Sequence, residues 1–451
     1  MTSHLFTKPE RMSIFTRQLL ARMQGQLCGI DNEIGFMLRS SQDPKVIVTG
    51  AELTGVHHLL KVPHPGKGAY HLDGCGIKLN EAVIRTLGET VERYSQLLSE
   101  IAGISEYQFA SYAEMRERRE HVINLDKISY FKKNQYDKKA FPFDPITPDK
   151  LLTWVKLSSL LHKKYLWVPA QLVLVGYKIK RLQGEPWIAS AVTTGTAAHT
   201  DKNQALINAI MELIQIDSAM GHWYSLQIAP KIIFDERTKS IESLLNKYNP
   251  EKQHQFSFHW LKNADMPGFS IACFYRGAEN TIPRVTIGLG ASIELNDAMY
   301  KAYLEAIGII GLSRMLILDK KLSNENISHA TTENFFDLDS NVAYYAAGNG
   351  YDFIENKFPE TTEIIASQLP PDLHSEGEET LKILVRAFRD TNKELYFYDL
   401  TGVEAEDLNF VVPRVWSPDL LSLCFPSTPF MNHSRFTNYQ GIQHDHPHPY
   451  P

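Results

Sequence analysis

Three stretches of this chain set long carboxylates into helical segments that otherwise carry apolar residues. "LGETVER" holds Glu89 and Glu92, three apart and so on one helix face, with Arg93 next to them. "IMELIQI" repeats the spacing with Glu212 and Gln215, and "YLEAIGI" carries Glu305. Two carboxylates on one face repel each other unless a cation sits beside them, and a charge among apolar neighbours is costly to bury unpaired. One helix at a time, such glutamates read as a solvated face. Together, carboxylates from three helices supply what a hard cation needs. Mg²⁺ takes oxygen ligands and completes its shell with water and nucleotide phosphates.

The elements that position these residues share one plan: a glycine-containing extended stretch, a polar helix-start residue, then a long amphipathic helix. The three copies are "DGCGIKLNEAVIRTLGETVERYSQ", "TTGTAAHTDKNQALINAIMELIQIDSA" and "GLGASIELNDAMYKAYLEAIGIIGLSR". Asn80, Thr200 and Asn296 are the expected N-caps, since a side-chain oxygen can accept from an orphan backbone N–H. Leu87, Val91 and Tyr94 form one helical stripe, and Leu206, Ile210 and Leu213 another. Glycines before a helix start let backbone N–H groups approach an anion, which the helix N-terminus also favours. The pattern therefore points to Mg²⁺–nucleotide binding, without the GxxxxGK[ST] or GxGxxG motifs, neither of which occurs.

The remainder is that of a folded protein: 451 residues, 43% hydrophobic and 22% charged. A net charge of -6 argues against nucleic acid as the main partner. Cys28, Cys75, Cys273 and Cys424 stand far apart, with no CxxC pair and no disulfide framework, so a reducing cytoplasm is expected. The N-terminal "MTSHLFTKPERMS" has no signal-peptide core, and no apolar run is long enough to span a membrane. Residues 1–55 read as a small helical or mixed lead segment, 56–440 as the catalytic domain and 441–451 as a proline-rich tail. "YLWVPAQLVLVGY", "RVTIGLGASIEL" and "NFVVPRVW" read as strands. Residues 127–150 and the "QLPPDLHSEGEETLK" stretch read as surface loops.

The tail closes on "PHPYP". Three prolines remove three donors and fix φ, leaving a stiff, polyproline-II-like segment with little entropy to lose. Such a tail can hold a terminal carboxylate in place. His444, His446 and His448 alternate before it and would face one side of an extended chain. They read as a spacer or an adventitious metal binder rather than a dedicated site.

"GIKLNEAVIRTLGETVERYS" resembles the first ATP/Mg²⁺ signature of the YcaO family, E-x-x-E-R followed by tyrosine. "TTGTAAHTDKNQALINAIMELIQIDSA" resembles its second, the Glu305 helix its later E-A-x-Q helix, and "FVVPRVWSPDLLSL" its C-terminal strand and proline turn. The resemblance covers roughly residues 68–451. It departs at Arg85, where the family has serine, at Gln215–Ile216, where it has E-R, and at Gly308, where it has glutamine.

The resemblance implies an α/β (α+β) YcaO fold, with sheets packed against long helices that carry inward-facing glutamates. It implies that Glu89, Glu92, Glu212, Gln215 and Glu305 hold Mg²⁺ around ATP. Arg93 would bind phosphate or brace the carboxylates. Arg414 would meet phosphate, and Asn208 the nucleotide. Azoline-forming members end in P-x-P-x-P, with the C-terminus reaching the active site, so the Pro451 carboxylate becomes the candidate general base. The implied reaction is ATP-dependent cyclodehydration of Cys, Ser or Thr in a ribosomal precursor peptide. A separate ThiF-like partner would hold the leader, a flavin dehydrogenase would act in the same pathway, and a homodimer is expected. Thioamide or macroamidine formation is the alternative chemistry. A non-catalytic scaffold is the alternative of another class.

Overall fold

The computed structural model of the chain describes residues 12–25, 29–61, 71–99, 106–249, 254–263, 265–278, 281–322 and 335–451. The N-terminal eleven residues and Cys28 lie outside them. After α1 (Ile14–Met23), strands β1 (Asp31–Phe36), β2 (Ile47–Leu53) and β3 (His71–Gly76) form an antiparallel sheet in the order β1-β2-β3, with the short α2 (Val56–Leu60) between β2 and β3. The division expected after residue 55 thus falls between two strands paired in one sheet. α3 (Leu79–Leu98) follows and packs on β3 and β2.

A second sheet runs β13-β12-β5-β4, with β6 also paired to β5. It joins β4 (Tyr107–Ser111), β5 (Leu151–Ser159) and β6 (Tyr165–Pro169) to β12 (Tyr396–Asp399) and β13 (Pro413–Trp416). α4 (Tyr112–Glu117) and α5 (Lys133–Tyr136) lie on the β4–β5 connection. Residues 127–150 of that connection were expected to be a surface loop, but Tyr130, Phe131 and Phe143 are buried. Phe131 stacks on Phe143 at 5.1 Å and meets Phe141 edge-on. Lysines hide the aromatic period that signals a packed segment. The "YLWVPAQLVLVGY" strand stops at Pro169, where the chain turns into a short 3₁₀ segment. The loop before α11 is solvent-facing as expected.

α6 (Lys202–Tyr224) leads into the third sheet, ordered β10-β9-β8-β7-β11: β7 (Lys231–Ile233), β8 (Gln255–Trp260), β9 (Phe269–Arg276), β10 (Val285–Ser292) and β11 (Glu363–Ile365). α7 (Lys239–Tyr248) connects β7 to β8, and α8 (Leu295–Leu322) follows β10. Every residue of β10 is buried, because the sheet is covered on both faces. Ile271, Cys273 and Tyr275 of β9 pack with α8 residues; Ala272 and Phe274 pack with α6 residues. α9 (Leu338–Ala346) and α10 (Tyr351–Lys357) precede β11, and α11 (Gly377–Asp390) and α12 (Val403–Asp407) flank β12.

α6 is tied to the distant end of the chain through Asp217. Its carboxylate accepts from Arg435 Nε and Nη2, Tyr439 Oη and the Leu421 backbone N–H, and Arg435 also bonds Asp265. Asp217 is 0% exposed, so this charge is buried with its hydrogen bonds made.

The expected caps shift. Asp201, not Thr200, caps α6 by accepting from Gln204 N at 2.8 Å. Asn80 lies inside α3 and instead accepts from Ser13 N and Thr16 Oγ1, pinning α1 to α3. Asn296 lies inside α8 and donates to the Arg237 carbonyl. Asp201 is the stronger cap one residue on, and the side chains of Asn80 and Asn296 are taken up by remote partners instead. No helix among the described residues is long and apolar enough to cross a membrane.

Candidate functional site

The three glutamate helices share a register. Leu79, Lys202 and Leu295 are their first residues, and Glu89, Glu212 and Glu305 each follow ten residues later. Close strand–helix approach sets the depth of two of them. A Cβ on Gly74 of β3 would lie 2.4 Å from the Ala82 carbonyl of α3, and one on Gly290 of β10 would lie 2.3 Å from the Ala298 carbonyl of α8. These glycines were expected to let backbone N–H groups approach an anion. Their packing shows a different use: they let strand and helix main chains touch. In the α6 copy Gly195 keeps a φ of +82° and donates its N–H to Glu212 Oε2 at 3.3 Å.

All three helices open onto one cavity of about 1450 Å³. Glu89, Glu92, Arg93, Asn208, Glu212, Gln215, Glu305 and Pro451 line it, so the structure gathers these residues from sequence positions far apart. Arg414 is not among the lining residues. It is 2% exposed behind the wall, where Nη1 donates to Thr196 Oγ1 at 3.1 Å. Glu89 Oε1 sits 3.6 Å from Arg93 Nη2, and its Oε2 accepts from Asp73 N at 3.0 Å. Gln96 donates to Glu92, and Gln204 to Asn208.

Crowding changes the acidity of these carboxyls. Burial, then the negative charge of Asp73, pushes Glu89 up to about 7. Burial pushes Glu305 up to about 8, with Asp73, Glu212 and Glu89 adding to the rise. Burial raises Glu212 to about 7 even though Arg414 and the Gly195 N–H pull it back. Glu92 rises well above the usual range through burial, Glu212 and Glu89. Arg414 falls to about 10 as burial outweighs the charges of Glu212 and Glu92. The protein therefore holds a cluster of carboxylates that its own cations do not neutralise.

That donor set fits a hard cation carrying phosphates. The side-chain donors are all oxygens, as Mg²⁺ requires. Among the described residues, no three His, Cys, Asp or Glu side chains stand placed to hold a metal ion by themselves. Mg²⁺ is commonly bound by one or two carboxylates plus nucleotide phosphates, so an open arrangement suits it better than a closed cage. The Nε of Arg93, which lines the cavity, is buried without a hydrogen-bond partner, as expected where an anion completes the site.

The tail is docked along its length. Trp223 Nε1 donates to the His446 carbonyl at 2.9 Å, and Tyr345 Oη to that of Pro447. Asn341 Nδ2 donates to the carbonyls of both His448 and Tyr450. His448 and Tyr450 are fully buried. The three histidines pack into aromatic surroundings rather than converging: His446 stacks on Phe353 at 4.5 Å, His444 meets it edge-on, and His448 Nε2 bonds the Cys424 carbonyl.

Asp73 and Lys301, which the sequence did not single out, also reach the cavity, as does Arg85; Arg85 and Lys301 lie one turn before Glu89 and Glu305. Asp73 had a visible signal, an acid directly before the glycines of the first copy. The alternation of β3, which decides where it points, did not stand out from six residues.

The family model for the YcaO cyclodehydratases, described as binding ATP and Mg²⁺, matches residues 73–421. A comparison with curated protein sequences gives no match. Among solved structures, a heterocyclase in complex with substrate and cofactor is similar with a TM-score of 0.71 and 17% identity, covering 98% of this chain and 57% of the other. The heterocyclase TruD gives 0.55 and 16%, covering 80% of this chain and 51% of its own. This chain therefore spans little more than half the length of those two. YcaO from Methanopyrus kandleri, bound with AMPPCP and Mg²⁺, gives 0.56 and 14%, covering 86% of each.

Proposed function

This chain belongs to the YcaO family, and from that premise we propose that it is an ATP- and Mg²⁺-dependent cyclodehydratase acting on a peptide backbone. One observation carries the reading: a cavity receives carboxylates from three helices, held at raised pKa values, together with the docked end of the sequence. The thiol of a cysteine, or the hydroxyl of serine or threonine, adds to the preceding carbonyl carbon. The former carbonyl oxygen takes the terminal phosphoryl group of ATP, and phosphate departs as the C=N bond of an azoline ring forms. An amide oxygen is a poor leaving group, and phosphorylation corrects that.

Glu89, Glu92, Glu212, Gln215 and Glu305 would hold Mg²⁺. When bound, Mg²⁺ supplies charge neutralisation at the phosphates, which is most of what phosphoryl transfer needs. Gln215 offers a carbonyl oxygen but no charge. Arg93 braces Glu89, and its unpartnered Nε–H is left to donate a hydrogen bond to phosphate. Arg414, set behind Thr196, offsets the charges of Glu212 and Glu92 rather than meeting phosphate itself. Asn208 contacts the nucleotide. The Pro451 carboxylate takes the proton of the nucleophile. The substrate is a ribosomal precursor peptide presented by a separate ThiF-like partner, and the working unit is a homodimer.

A peptide mass assay tests this. The chain is incubated with ATP, Mg²⁺, a candidate precursor peptide and the partner. Loss of one water mass per modified residue, abolished by deleting residues 447–451, is the expected result. A mass gain matching oxygen-to-sulfur exchange in the presence of a sulfur donor would replace cyclodehydration with thioamidation. No ATP turnover and no mass change would overturn the proposal.

A further inference from the structure

In each glutamate helix the residue three positions after the first glutamate also lines the cavity: Glu92 on α3, Gln215 on α6 and Gly308 on α8. Two of these carry a side-chain oxygen and the third carries none. The space is nonetheless filled. A Cβ on Gly308 would lie 2.6 Å from Asp73 Oδ2 and 3.0 Å from Cys75 Sγ. Cβ atoms do not approach other heavy atoms that closely, so an Asp73 carboxylate in this position requires glycine at 308.

The alternation of β3 explains how a strand residue gets there. Gly74 and Gly76 face α3, where their missing side chains admit the helix. Asp73 and Cys75 therefore face the other way, and Cys75 packs in the core that contains α8. The backbone of Asp73 is held by its own N–H, which donates to Glu89 Oε2 at 3.0 Å. Asp73, Glu89 and Glu305 line one cavity, and both glutamates feel the charge of Asp73. The Cys75 thiol, 3.9 Å from Asp73 Oδ2, is kept protonated by burial and offers no thiolate. The buried, unpartnered Nε of Arg93 on the same cavity is an independent sign that a ligand completes this wall.

We infer that Asp73 supplies, from β3, the oxygen donor that α8 lacks at Gly308, and so acts as a further ligand toward Mg²⁺–nucleotide. The inference rests on the ATP- and Mg²⁺-dependent reading above.

The test is the Mg²⁺ concentration needed for half-maximal binding of a non-hydrolysable ATP analogue to the full chain, which does not depend on turnover. Asp73→Ala raises it about tenfold or more, the scale of effect found when a metal site loses a supporting carboxylate. Asp73→Ala/Cys75→Ala clears the space beside α8, and adding Gly308→Glu to that background recovers most of the loss. Gly308→Ala alone lowers the melting temperature, and does so far less once Asp73 is alanine. Asp73→Asn, nearly isosteric, keeps the measurement available if the alanine variant folds poorly. Wild-type Mg²⁺ dependence in both Asp73 variants, or no recovery from Gly308→Glu, overturns the inference and leaves the functional reading standing. A wild-type chain that binds no Mg²⁺–nucleotide overturns both.

Discussion

The β3–α3 and β10–α8 units are built alike and finished differently. Each sets a strand glycine against the alanine three residues into its helix, Gly74 on Ala82 and Gly290 on Ala298. Each then places a cation one turn before its glutamate, Arg85 before Glu89 and Lys301 before Glu305. They diverge at two positions. α3 carries Glu92 where α8 carries Gly308, and β3 carries Asp73 where β10 carries Leu289. Leu289 points into the apolar core, whereas Asp73 reaches across to the other unit. The matched positions set distance, and main-chain contact fixes them. The unmatched positions set charge, and charge can be moved from one unit to its neighbour when the space is shared.

Removing the shared feature gives the largest effect. Glu89→Gln and Glu305→Gln should each lower ATP-dependent turnover by about 10²–10³-fold, the cost typical of losing one group aimed at transition-state charge. Each should also raise the metal-free melting temperature at alkaline pH, because each relieves repulsion among buried carboxylates. Equal losses in the two variants would support equivalent units, and an effect confined to one would break the comparison. Next come the glycines. Gly74→Ala and Gly290→Ala should each destabilise the fold by about 1–3 kcal/mol, read from denaturant unfolding, since the added methyl overpacks a main-chain contact.

A smaller effect follows pH. Glu89, Glu212 and Glu305 bind a proton more tightly folded than unfolded, with folded values of about 7, about 7 and about 8. Their contribution is fully present below the ordinary carboxylate range and is lost as pH rises through those values. The metal-free melting temperature should therefore fall from about pH 4.5 to about pH 8 and level off above that. A Mg²⁺–nucleotide analogue should flatten that slope and release protons on binding, measurable by calorimetry in buffers of different ionisation enthalpy. The smallest change is expected at the exposed pairs. Arg85→Ala and Lys301→Ala should each alter stability by less than about 1 kcal/mol, because Arg85–Glu81 and Lys301–Asp297 are solvent-accessible ion pairs.

The glutamates were legible because a charge inside an apolar helical period has few cheap explanations, and because the pattern recurs three times. The tail was legible because three prolines leave an extended chain little choice of conformation. Asn80 and Asn296 misled as caps because their partners, Ser13 and Arg237, are remote in sequence. The strand glycines misled because a glycine that admits a helix looks, in one dimension, like a glycine that admits an anion. Asp73 escaped for a related reason. Its meaning lies in Gly308, and the absence of a side chain leaves no pattern to read.

The bond between Asp217 and Arg435 has a consequence in time. The two residues are 218 positions apart, and Glu212 lies little more than one turn before Asp217 on the same helix. Closing so long a loop is slow, because its entropy cost comes before any contact rewards it. During synthesis Asp217 is made 218 residues before Arg435, and this ion pair cannot form until Arg435 has been added. The final seating of α6 against the Arg435 segment therefore waits on a contact of long sequence separation, whatever local structure the helix has already gained.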